Sequence, residues 1–148
     1  MLFRSVAGYP EVHAEAHDLE EEITNIKRKI DAGASFVITQ MFFDNESFYR
    51  FEKSCRERGI DVPLIPGIKV ITSKQQLRVL PEIFGTSLPQ KLIDNVNACE
   101  TDEEVCQIGV AHAVQQARAL LEYGVAGVHF FTMNNSHVFN QILRAFQG

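Results

Sequence analysis

The chain has 148 residues, 45% of them hydrophobic and 22% charged, and a net charge of −5 at pH 7. That length suits one domain burying roughly 68–70% of its unfolded surface, and the acidic balance argues against a nucleic-acid partner, which needs a basic stripe. Three cysteines (Cys55, Cys99, Cys106) without CxxC spacing argue against a disulfide framework or a zinc site and fit a reducing, cytoplasmic setting.

No apolar run approaches the roughly 18 residues of a membrane span, so no membrane partner is expected. The opening MLFRSVAGYP has one basic residue and no long apolar core, unlike a signal peptide. It enters a strand at once, FRSVAGY to Tyr9, which leads us to expect further sequence before it. A loop and a helix follow to Gly33. Leu19, Ile23, Ile26 and Ile30 form its apolar stripe, Asp18 and Glu21 have capping-box spacing, and Gly33 suits the left-handed exit. The run SFVITQ predicts a strand ending at Gln40. Asp44 or Asn45 then caps a helix with Phe48, Phe51 and Cys55 on one face, ending at Gly59.

A strand at Val62–Ile65 is expected to end in Pro66–Gly67. Ser73 and Gln76 have capping-box spacing for a helix to about Glu82, and Pro89 suits the first turn of another to about Ala98. Thr101 and Glu104 form a third capping box. Their helix turns Cys106, Val110, Ala113, Ala117 and Leu120 inward and stops at Gly124. A last strand, Ala126–Phe131, leads through Asn134–Asn135 to a final helix. This alternation predicts βαβ units around a parallel sheet. Four such units are half of the eight that close a barrel. A small flavodoxin-like sheet is the alternative, but four strands are few for it and GxGxxG is absent.

In a parallel β/α array the C-terminal strand ends share one face, where ligands bind. Tyr9, Gln40 and the Thr132–Asn134 turn should therefore line one site. Tyr9 and His13 place a hydroxyl and an imidazole in one turn, although a loop tyrosine and a surface histidine fit equally well. Asn25, Arg28 and Lys29 lie near one another on one helical surface. They suit a diphosphate, but basic residues near a helix C-terminus also suit its dipole. Gln40 ends the most apolar strand, and a buried amide there suits the edge of a heterocycle. His129 reads as a hydrogen-bonded barrel residue rather than a ligand, and the phenylalanines at 42, 43, 130 and 131 as core. No metal constellation, HExxH or GxSxG is present.

In order and at matching spacings, VAGYPEVH, NIKRKIDAGASFVITQMFFD, IPGI and HFFTMN resemble the methylenetetrahydrofolate reductase family, over about Val6 to Asn134. The resemblance is to strands five to eight of its catalytic TIM barrel, so the chain is expected to be a single partial domain, 1–148. It implies FAD at the strand ends, NADH or NADPH as reductant, and 5,10-methylenetetrahydrofolate as substrate, reduced to 5-methyltetrahydrofolate for methionine synthesis. By residue, it assigns Tyr9, His13, Ala16, Glu22, Asn25, Arg28 and Lys29 to the FAD site. Gln40 falls to the pterin and nicotinamide, Gln76 to the folate, and Leu80 to an apolar wall against the aminobenzoyl ring.

The chain departs from the family at Glu22, where Asp is usual, and at Lys69-Val70, where an apolar residue and Pro are usual. It departs again at Phe131 for Tyr and Asn135 for Arg. The family's catalytic Glu belongs to the first half of the barrel, so the resemblance implies no catalytic residue here. Activity is then expected only with a first half-barrel. The alternatives are a flavin-binding, self-pairing half-barrel without activity, and a truncated inactive fragment.

Overall fold

Parallel strand pairing requires each connection to run the length of the sheet, and helices fill those connections here. The computed structural model describes residues 4–11, 18–133 and 135–147. Its elements are β1 (Ser5–Gly8), α1 (Leu19–Asp31), β2 (Phe36–Met41), α2 (Asn45–Glu57), β3 (Leu64–Lys69), α3 (Gln76–Phe84), α4 (Gln90–Ala98), α5 (Asp102–Tyr123), β4 (His129–Phe131) and α6 (Ser136–Gln147). The sheet order is β1-β2-β3-β4, with each neighbouring pair parallel. No described helix is long and apolar enough to cross a membrane.

Alternation along β2 decides which face is covered. Val37, Thr39 and Met41 are buried, whereas Phe36, Ile38 and Gln40 are half-buried. Val37 joins Leu64 and Ile68 of β3 in a core with Ile23 and Ile26 of α1, Phe48, Phe51 and Cys55 of α2, Ala113, Ala117 and Leu120 of α5, and Ile142 of α6. Each of these large apolar side chains contributes about 1.5–3 kcal/mol by leaving water. A second cluster lies past the ends of β2 and β3, where Met41, Phe43 and Ile71 meet Leu80, Leu92, Val96 and Val105. On the other face Ile38, Gln40, Lys69, His129 and Phe131 are half-buried and Ala7 is exposed among the described residues.

The caps follow the sequence. Asp18 Oδ1 accepts from Glu21 N at 2.8 Å, and Asp44 Oδ1 from Glu46 N at 3.1 Å. Thr101 and Glu104 form a complete capping box, and α5 ends on Gly124 at φ 108°. The structure corrects other boundaries. β3 does not end at Pro66–Gly67 but runs through them to Lys69, and it starts at Leu64 rather than Val62. Proline is tolerated because the β2–β3 register shifts between Ile38 and Met41, and Gly67 N donates instead to the Thr39 hydroxyl at 2.9 Å.

Ser73 does not cap α3. Gln75 at the helix start is already in helical conformation and makes no side-chain cap. Gln76 folds back so that its Oε1 accepts from Thr72 N at 2.8 Å. Pro89 sits just outside α4 rather than in its first turn. β4 is limited to His129–Phe131, three residues shorter at its start than Ala126–Phe131.

Candidate functional site

The half-covered face of the sheet carries the polar strand-end residues. Ala7 pairs with Ile38, Gly67 with His129 and Lys69 with Phe131, so the side chains of these rows project on one side. A cavity of about 300 Å³ at that surface is lined by Tyr9, Ile38, Thr39, Gln40, His129 and Phe131, with Ser5, Val6 and Ala7. Tyr9 and Gln40, 31 residues apart, are thereby brought together.

Gln40 is half-buried, and its Oε1 accepts from Met41 N at 3.0 Å. That bond fixes the amide orientation and presents the NH2 group, a donor suited to the acceptor edge of a heterocycle. His129 does not make the expected hydrogen bond among the described residues. It packs edge-on against Phe131, with centroids 4.7 Å apart and planes at 76°. A second cavity, about 190 Å³, shares Phe131 and is lined by Lys69, Thr72, Gln76, Thr132, Met133, Asn135 and Val138, with Val70. Asn135 caps α6 through its Oδ1, which accepts from Val138 N at 3.1 Å.

The other expected site residues are distributed differently. Asn25 is half-buried and Arg28 and Lys29 are exposed on α1, the two cations in its last turn. None of the three lines either cavity. Glu22 is 4% exposed, and it adds to the burial that pushes the Cys55 thiol up to about 12, with Arg56 opposing. Leu80 is 5% exposed within the second apolar cluster. His13, Ala16 and Asn134 lie outside the described residues. Among the described residues no group of His, Cys, Asp and Glu has metal-holding geometry.

Sequence reading missed the side chains that secure the loops around this site. Glu11 accepts from Thr86 Oγ1 at 2.6 Å, from Ser87 N at 3.2 Å and from Ser87 Oγ, tying the chain after Tyr9 to the α3–α4 connection. On α5, His112 Nε2 donates to Phe43 O at 2.9 Å and Gln116 Nε2 to Phe42 O at 3.2 Å. Gln116 also donates to Asn45 Oδ1 at 3.1 Å, and Asn45 Nδ2 returns a bond to Gln116 O at 3.1 Å. These bonds hold the turn leaving Gln40. One available signal was Gln116 itself, a polar residue on the buried side of α5 beside Ala113 and Ala117.

His112 carries a pH dependence. Burial lowers its pKa, against opposing effects of the Phe43 carbonyl and Asp44. The unfolded chain therefore binds this proton more readily than the fold does. The stabilisation is complete above the unfolded value of about 6.5 and declines as pH falls toward the folded value. Melting of the native chain between pH 7.5 and 5 is expected to fall more steeply than that of His112→Gln, whose amide still donates. Parallel curves would exclude this contribution.

The sequence profile of the family described as Methylenetetrahydrofolate reductase matches residues 2–147. The chain belongs to the methylenetetrahydrofolate reductase family. A 5,10-methylenetetrahydrofolate reductase of Buchnera aphidicola is 37% identical over 143 residues, covering 96% of this chain and 49% of the relative. That of Escherichia coli is 37% identical over 135 residues, covering 90% and 46%. A probable NADPH methylenetetrahydrofolate reductase of Caenorhabditis elegans is 36% identical, covering 94% and 21%. The chain thus spans about half the length of these bacterial relatives. A solved Clostridium thermocellum protein described as binding two copies of 5-methyl-5,6,7,8-tetrahydrofolic acid matches with a TM-score of 0.58 at 21% identity, covering 87% of this chain and 46% of its own. That likeness concerns the fold. Family membership and the parallel four-stranded α/β architecture both agree with the barrel expectation from sequence.

Proposed function

We propose that this chain forms the flavin- and folate-holding part of a methylenetetrahydrofolate reductase, which reduces 5,10-methylenetetrahydrofolate to 5-methyltetrahydrofolate with FAD and NADH or NADPH. The observation that carries the reading is the convergence of Tyr9 and Gln40 on one cavity at the C-terminal strand ends. In this reading Gln40 sets its NH2 group against the pterin, or against the nicotinamide when that occupies the same place. Gln76 lies on the adjoining folate wall, and Leu80 backs that wall from the core. Holding the reacting carbon in line is a large share of catalysis of this kind.

The residues present suit FAD. Arg28 and Lys29 are exposed cations without a hydrogen bond or ion pair among the described residues, beside the amide of Asn25. Such a set holds a diphosphate by charge-assisted hydrogen bonds. Tyr9, His13, Ala16 and Glu22 complete the proposed flavin contacts. Bound FAD supplies hydride transfer, and the chain's own work is to bind, orient and exclude water.

The open sheet face favours a further half-barrel as its cover, from another polypeptide or from a second copy. We assign the chain to the cytoplasm, as its reduced cysteines suggest. Titrating FAD into the purified chain while following flavin fluorescence tests the cofactor reading. Saturable quenching is expected, weakened about tenfold or more by Arg28→Ala/Lys29→Ala, since each lost charged hydrogen bond costs about 1.5–3 kcal/mol. Absence of quenching, or equal affinity in the double variant, would sink the phosphate assignment. A stable dimer that binds FAD without turnover, even beside a first half-barrel, would favour the non-catalytic flavin-binding module.

A further inference from the structure

A larger cavity, about 570 Å³, lies between the β2–α2 turn, α4 and α5. It shares no residue with either strand-end cavity, so the folate and flavin reading makes no use of it. Its size suits a small organic ligand. Gln116, 5% exposed, lines it. The amide nitrogen of Gln116 is spent on Phe42 O and Asn45 Oδ1, while its buried Oε1 accepts from no donor among the described residues. A buried acceptor in that state calls for a donor from outside the chain. One turn earlier on α5, His112 lines the same cavity and spends only Nε2, which donates to the Phe43 carbonyl. Burial favours the neutral ring, which leaves Nδ1 as an acceptor. A third acceptor is the exposed Asp44 carboxylate, whose one bond among the described residues comes from Glu46 N.

The α4 wall has the opposite character. The helix opens there without a side-chain cap, and Lys91 in its first turn has no hydrogen bond or ion pair among the described residues. Phe43, Leu92 and Ile108 supply apolar lining. Three acceptors in need of donors, an ammonium beside a helix start, and apolar walls together specify a zwitterion with an apolar body. We propose that this cavity binds an α-amino acid with an apolar side chain, its ammonium on Gln116, His112 and Asp44 and its carboxylate at Lys91 and the start of α4. The ligand's ammonium has three donors for the three acceptors, and its carboxylate meets both a cation and the positive end of a helix.

Calorimetric titration of the 148-residue chain with L-leucine and L-phenylalanine tests this. The N-acetyl derivative of each, which lacks the ammonium, and the amide of each, which lacks the carboxylate, are titrated beside them. Saturable binding of at least one free amino acid is expected, weakened about tenfold or more in both of its derivatives. Lys91→Met should weaken the free amino acid about tenfold to a hundredfold, the worth of a charged hydrogen bond, and leave its amide derivative unchanged. Asp44→Asn, whose amide oxygen still caps α2, should weaken the free amino acid and leave the N-acetyl derivative unchanged. The two variants lie on separate elements, so one that fails to fold leaves the other to decide. If neither amino acid binds, if a derivative binds as tightly as its parent, or if neither variant weakens binding, the assignment is overturned. The folate reading is untouched by any of these outcomes, since the cavities share no residue.

Discussion

Gly109→Ala is expected to destabilise the chain by about 3 kcal/mol, at the upper end of overpacking costs. Helix propensity alone predicts the opposite, since alanine is favoured over glycine by about 1 kcal/mol in a helix interior. The backbone contact decides the sign. A Cβ at Gly109 would lie 1.9 Å from Ile71 O, 2.9 Å from its carbonyl carbon and 3.0 Å from its nitrogen. No rotamer relieves an overlap with main chain, so α5 would have to move away from the segment leaving β3. That segment leads to Thr72 and Gln76, and the same movement would open the smaller cavity. Urea unfolding should show a lower midpoint for Gly109→Ala. Ala111→Gly, at an exposed position of α5, should cost only the propensity difference. A stabilised Gly109→Ala would show that the helix is free to shift.

Local rules made much of this fold legible, and the failures have local causes. Thr101, Glu104 and Gly124 bound α5 because capping chemistry and a left-handed exit act within one turn of the chain. β3 was cut short because Pro66 is a sound stop signal unless the neighbouring ladder slips, and the Thr39 hydroxyl that accepts from Gly67 N lies 28 residues away. Ser73 and Gln76 had capping spacing, yet the amide found Thr72 N first. Register and competing side-chain bonds are tertiary facts, which a one-dimensional pattern does not contain.

The candidate site was legible to the same degree. Strand-end logic placed Tyr9, Gln40 and the Thr132–Asn134 turn at one site; one cavity unites Tyr9 and Gln40, whereas Thr132 and Met133 line the adjoining one. That logic did not find His112 and Gln116, which act from α5 on the carbonyls of Phe43 and Phe42 some 70 residues earlier. Nor did it find a chemical theme shared by Gln40, Gln76 and Asn135. Each spends its amide oxygen on a backbone N–H, and each lines a cavity.

If the chain is a reductase part as proposed, it should form no 5-methyltetrahydrofolate above background on its own. Ring opening of the methylene bridge in the substrate requires a proton at nitrogen, and the described residues lining the two strand-end cavities include no carboxylic acid to give it. His129 packs edge-on against Phe131, and Lys69 lines the neighbouring cavity. A positioned general acid is worth about 10²–10⁴-fold, so its absence alone removes most of the rate. Supplying the first half of the barrel from a relative, with the glutamate that the family resemblance implies is catalytic, should raise product formation by about 10²-fold or more. The same half with that glutamate changed to glutamine should bind but not restore turnover. Steady production of 5-methyltetrahydrofolate by the unaided chain would mean that one of its own groups gives the proton, and His129 and Lys69 would then be the residues to replace.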